Sequence, residues 1–90
     1  MITKKLILDT IAERHGVKRE YLALHKEDGF YYWGEKAAAV FTETCIYITR
    51  LNDFSLDRWV SDFDSKMQDT IARTGFSTLN DYIESIDWRL

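Results

Sequence analysis

Apolar residues recur through the first sixteen positions at helical spacing. Leu6, Ile7, Ile11 and His15 fall on one side at steps of three and four. Thr3 stands where an N-cap belongs, Gly16 supplies a left-handed C′ position, and Val17 can fold back onto the last turn. A first helix is therefore predicted between Thr3 and Gly16. The period then shortens to two. Tyr21-Leu22-Ala23-Leu24-His25 sets Leu22 and Leu24 on one face, Glu27-Asp28-Gly29 reads as a hairpin turn, and Phe30 to Trp33 forms the return strand. Glu35 to Thr42, with Ala37-Ala38-Ala39-Val40 inside it, reads as one helical turn or a bulged loop. Thr44 to Thr49 alternates again, with Ile46 and Ile48 opposite Cys45 and Tyr47, which predicts a three-stranded antiparallel meander.

A second long helix follows. Ser55 is its expected N-cap, and Asp57 lies in the first turn, where the helix dipole favours a carboxylate. Leu56, Trp59, Val60, Phe63, Met67 and Ile71 trace one apolar stripe that ends at Gly75. Ser77 or Thr78 then caps a short last helix that turns Leu79, Tyr82, Ile83 and Ile86 inward. The expected fold is α+β in the order α-β-β-β-α-α, a three-stranded antiparallel sheet packed against helices. Ninety residues suffice for one such domain, 1–90, and its single core.

Composition narrows the classes. A hydrophobic fraction of 46% with 30% charged residues is that of a folded protein rather than a disordered one. The two lysines and short apolar run near the start resemble a signal peptide, but Asp9, Glu13 and Arg14 interrupt the run and no small-residue cleavage site follows. No stretch approaches the roughly eighteen apolar residues of a membrane span. Cys45 is the one cysteine, so no intrachain disulfide forms and the cytoplasm is the expected compartment. A net charge of −3 and a pI near 5.3 oppose direct binding to phosphate backbones.

Candidate chemistry is sparse. His15, His25 and Cys45 form no ligand pair at metal-binding spacing, and no metal or cofactor is expected. His25-Lys26-Glu27 matches the first half of a zinc-deaminase signature, whose Pro-Cys-x-x-Cys half is impossible in a chain with no proline. Cys45 lies mid-strand, where a cysteine packs as a small hydrophobe; a nucleophile paired with His25 is the enzymatic alternative, and no enzyme is expected. Acids on the second helix suggest a DNA mimic. Against this, Asp62–Lys66 and Asp69–Arg73 stand at i,i+4 in the favourable order, which leaves Asp57 and Asp64 as an unpaired row. Asp81, Glu84 and Asp87 add a second acidic edge.

The pattern richest in information is Gly29-Phe30-Tyr31-Tyr32-Trp33-Gly34. Successive side chains on a strand alternate faces, so two of its four rings point away from the core. A two-residue Asp28-Gly29 turn sends Phe30 and Tyr32 outward, and a three-residue loop with a glycine bulge sends out Tyr31 and Trp33. The outward pair joins Tyr21, Ala23, His25, Cys45, Tyr47 and Thr49 on a face that is either exposed or covered by a helix as a second core. Exposed aromatic sheets stack nucleic-acid bases or give rigid contact area to a protein partner. The nearby Lys18, Arg19, Lys26 and Lys36 alternate with acids, which favours protein. The expected binding residues are Tyr21, His25, Phe30, Tyr32 and Tyr47, with Asp57 and Asp64 on the helix.

The capped first helix ending His15-Gly16-Val17, then GFYYW, then YITRLNDFSLDRW (47–59) resembles small uncharacterised proteins of bacterial phages and prophages. The resemblance spans most of the chain and assigns no residue a role. It implies a protein that binds and blocks host machinery, as anti-CRISPR and other anti-defence proteins do. The expected function is protein–protein interaction, with a host or phage protein or a second copy as partner. A nucleic-acid-associated module is the alternative, ahead of a cysteine-dependent enzyme.

Overall fold

Local signals set most of the helix ends. The computed structural model describes residues 1–88. In helix α1 (Lys4–His15) the Thr3 hydroxyl accepts the Leu6 amide at 3.1 Å. Gly16, at φ 68°, donates its own amide to the Ala12 carbonyl at 3.0 Å. The buried positions are Ile7, Leu8 and Ile11. Leu6 was expected inward and is exposed, because the stripe that reaches the core runs one position further round the helix.

A three-residue 3-10 turn, Arg19–Tyr21, precedes strand β1 (Ala23–Glu27). Strand β2 (Phe30–Gly34) returns antiparallel, with Glu27 opposite Phe30 and His25 opposite Tyr32. Asp28 and Gly29 both take positive φ, 54° and 88°, as a two-residue type I′ turn requires. That turn fixes which rings face the core: Tyr31 and Trp33 are buried, whereas Phe30 is exposed and Tyr32 half-buried.

The expected third strand does not form; among the described residues the sheet has two strands. Thr44 to Ile48 begins to pair with β2. The Trp33 amide donates to the Thr44 carbonyl, and the Ile46 amide to the Tyr31 carbonyl, each at 3.0 Å. Cys45 bridges Tyr32. The next bond, from the Tyr31 amide to the Ile48 carbonyl at 3.0 Å, falls two positions beyond the Ile46 carbonyl of a regular ladder, so Ile46, Tyr47 and Ile48 together stand against one residue. Tyr47 is the cause: at φ 61° it occupies left-handed space, and a ladder cannot continue through it.

Helix α2 (Glu35–Ala39) follows β2 directly, with Ala37 and Ala38 buried. A second 3-10 turn, Leu51–Asp53, leads to helix α3 (Leu56–Thr74), where Ser55 accepts the Arg58 amide at 3.2 Å and Gly75 closes the C-terminus. Helix α4 (Leu79–Ser85) is capped by Thr78. The architecture is thus α+β in the order α1-β1-β2-α2-α3-α4, with four helices and two strands among the described residues in place of the expected α-β-β-β-α-α.

The core is built on rings from the hairpin and α3. Trp33 meets Trp59 and Phe63 edge to face at 6.0 and 5.2 Å, and Phe41 adds to Phe63 at 5.3 Å. Both buried indoles are satisfied, Trp33 by donating to Asp62 at 3.0 Å and Trp59 by donating to the Leu51 carbonyl at 2.8 Å. Lys66 pairs with the same Asp62 at 3.1 Å. Arg73, expected to pair with Asp69, instead donates to the Val40 carbonyl at the end of α2 at 3.2 Å. Asn80 of α4 holds the turn after α1 from both sides: its amide donates to the Gly16 carbonyl at 2.7 Å, and its oxygen accepts the Lys18 amide at 3.1 Å.

Candidate functional site

The outward side of the hairpin carries Ala23, His25, Glu27, Phe30, Tyr32 and Gly34, the positions that alternate with the buried Leu24, Tyr31 and Trp33. His25 leans toward Tyr32, ring centroids 5.4 Å apart, and its ring also lies over Gly34. A Cβ added at Gly34 would stand 2.4 Å from the His25 ring, so the second glycine of GFYYWG leaves room for a neighbour's side chain. Tyr47 swings out of the interrupted ladder, 66% exposed, and meets Phe30 edge to face at 5.9 Å. The left-handed backbone that ends the third strand thus delivers a ring to this face.

Between the hairpin turn and the 44–45 segment lies an open cleft of about 360 Å³ lined by Glu27, Asp28, Phe30, Tyr32, Thr44 and Cys45. The Tyr32 hydroxyl donates to Glu27 at 3.4 Å. Desolvation first, and then the Glu27 charge, push this phenol above its usual range. A hydrogen bond to Glu43, reinforced by that carboxylate's charge, does the same to Tyr47. Both hydroxyls therefore stay protonated near neutrality. Lys26, the nearest cation in sequence, alternates to the other side of the hairpin. Its ammonium donates to the Thr49 carbonyl at 2.7 Å and sits 5.4 Å from the Tyr31 ring. The cleft is acidic and aromatic, with no lysine or arginine in its lining.

His25, Phe30, Tyr32 and Tyr47 share this face; Tyr21 does not. Tyr21 lies in the 3-10 turn rather than in β1 and is buried, its hydroxyl reaching Glu84 of α4 at 3.4 Å and the Lys18 and Lys36 ammoniums sitting over its ring. Asp57 and Asp64 are likewise elsewhere, and they are not the unpaired row expected of them. Asp57 pairs with Arg14 at 3.0 Å, and Asp64 stands 3.7 Å from His15 while accepting from Gln68 at 3.4 Å. The Arg14 and His15 contacts join α3 to the C-terminal turn of α1. They form because the two helices pack together, which spacing within one helix cannot reveal.

Cys45 stands on this face as its alternation with Ile46 predicts, whereas Glu27, Asp28 and Thr44 were not foreseen as part of it. The turn reading absorbed Glu27 and Asp28, although Glu27 follows His25 by two and therefore shares its side. Cys45 and His25 flank the Tyr32 strand position from opposite sides, so their backbones are about two strand spacings, roughly 10 Å, apart. Among the described residues no three His, Cys, Asp or Glu side chains gather as a metal site, and no helix is long and apolar enough to cross a membrane. Comparison with protein-family models, with curated proteins and with solved structures gives no match.

Proposed function

We propose that this chain is a protein-binding domain whose contact surface is the outward face of the hairpin, centred on Phe30, Tyr32 and Tyr47. The supporting observation is the exposure of Phe30 and Tyr47, which touch each other on that face while the rings of the α3 side are buried. Aromatic rings bury large areas and lose little rotamer freedom when held, so they make efficient anchors at an interface. The acids beside them, Glu27, Asp28 and Glu43, count against the nucleic-acid alternative, because stacking platforms need cations for the backbone. Blocking a host protein, the role implied by the phage resemblance, requires no chemistry beyond occupying the partner's surface.

The test is affinity capture with two baits, wild type and the double variant Phe30→Ala/Tyr47→Ala, each shown by circular dichroism to be folded. The same identified partner should be retained by the first and lost by the second. Equal capture by both baits would place the interaction elsewhere.

A further inference from the structure

Resting on that reading, we propose that the cleft between the Asp28-Gly29 turn and Thr44-Cys45 receives a cationic side chain, arginine or lysine, from a basic segment of the partner protein. Size, ring chemistry and charge converge on this occupant. At about 360 Å³ the cleft is near the lower end of the roughly 300–1,000 Å³ of small-molecule sites, room for one long side chain. Phe30 and Tyr32 line it, and an aromatic face attracts a cation placed over it. Glu27 and Asp28 stand at its rim. Glu27 accepts one long hydrogen bond from Tyr32, and Asp28 has no hydrogen bond or ion pair among the described residues. A guanidinium or ammonium supplies the donors these carboxylates lack, and in return they neutralise it.

The same charges disfavour the other occupants. A second copy docked face to face would bring Glu27, Asp28 and Glu43 against their own counterparts, which repel. Nucleic acid would set phosphates against the same carboxylates. Lys26 cannot fill the cleft from within, because its ammonium is held on the far side of the hairpin by the Thr49 carbonyl. An acidic rim with no ion pair among the described residues, around a ring-lined slot, is therefore matched by positive charge from another chain.

The probe is a pentapeptide with one central arginine flanked by glycine and serine, titrated into the isotope-labelled full chain and followed by amide chemical shifts. Matched arms replace the arginine by lysine or by glutamine, and a further arm uses spermidine. Saturable millimolar shifts should centre on Glu27, Phe30, Tyr32, Thr44 and Cys45 with the cationic peptides and vanish with glutamine. The double variant Glu27→Gln/Asp28→Asn should weaken binding about fivefold, the loss of two exposed charge contacts. Four results overturn the proposal: no saturable shifts, equal binding of the glutamine peptide, shifts centred on the α3 acids instead, or spermidine binding at the same residues as tightly as the peptides. Concentration-dependent self-association through these residues would assign the cleft to a second copy and also overturn it. Affinity capture separates this proposal from the broader one. If Glu27→Gln/Asp28→Asn still captures the partner that Phe30→Ala/Tyr47→Ala loses, the cation site fails while the aromatic surface stands.

Discussion

Tyr47 offers a test in which the backbone and the side chain give separable signals. Its φ of 61° places a residue with a Cβ in left-handed space, which costs about 1–2 kcal/mol for an L-residue and almost nothing for glycine. Its ring is 66% exposed, so truncation removes little buried area, and the chief loss is the edge contact with Phe30, worth about 0.5–1.5 kcal/mol. Tyr47→Ala keeps the backbone strain and loses the ring contact, so it should destabilise by about 1 kcal/mol. Tyr47→Gly loses the same contact but releases the strain. It should be more stable than Tyr47→Ala by about 0.5–1 kcal/mol, reversing the order usual for these residues in extended structure. Urea unfolding followed by tryptophan fluorescence measures both, since Trp33 and Trp59 lie side by side in the core. Both variants should also lose partner binding equally. An alanine variant clearly more stable than the glycine variant would refute the left-handed conformation, and with it the reason the third strand stops.

Phe63→Ala removes a ring that is 1% exposed and touches Trp33 and Phe41, so a loss of about 3–5 kcal/mol in urea unfolding is expected; a change below about 1 kcal/mol would contradict the packing. Asp9 is held below the usual carboxylate range by Lys5 and then Arg19, and Glu84 by Lys18, so each stabilises the fold above its unfolded pKa, and that stability fades as pH falls through the lowered folded value. Asp9→Asn/Glu84→Gln should therefore be less stable than wild type at neutral pH and converge with it in strong acid, as read from urea midpoints across pH. Duplex DNA titrated near physiological salt should produce no rise in fluorescence anisotropy, and salt-sensitive micromolar binding would restore the nucleic-acid reading.

Elements specified by neighbours in sequence were legible before the structure. Thr3, Ser55, Gly16 and Gly75 cap their helices because capping needs only the residue and the adjoining turn. The hairpin turn was legible too, but the sequence allows it a length of two residues or three, and the positive φ of Asp28 and Gly29 decides that Phe30 and Tyr32 face outward. Three features were hidden because spacing along one element does not reveal them. The alternation of Thr44 to Thr49 is the same whether the ladder continues or breaks at Tyr47. Tyr21 alternates with Ala23, yet Glu84 of α4 and the ammonium of Lys36 help hold it in a buried turn. Asp57 and Asp64 look without a cation along their own helix, and the basic side chains that face them, Arg14 and His15, lie on α1. The acidity of the cleft was legible in part, since Glu27 shares the parity of His25.

The Asn80 clamp has a consequence for the order in which the protein takes shape during synthesis. The turn that carries α1 into the hairpin is fastened by a side chain more than sixty positions later. A nascent chain can cap its first helix and fold its hairpin locally, but the Asn80 fastening of the turn between them waits until α4 has left the ribosome. Folding that depends on so distant a closure is slow compared with helix or hairpin formation. Until α3 has emerged, the rings of Tyr31 and Trp33 lack Trp59 and Phe63 against them, and the growing chain exposes them to whatever surrounds it.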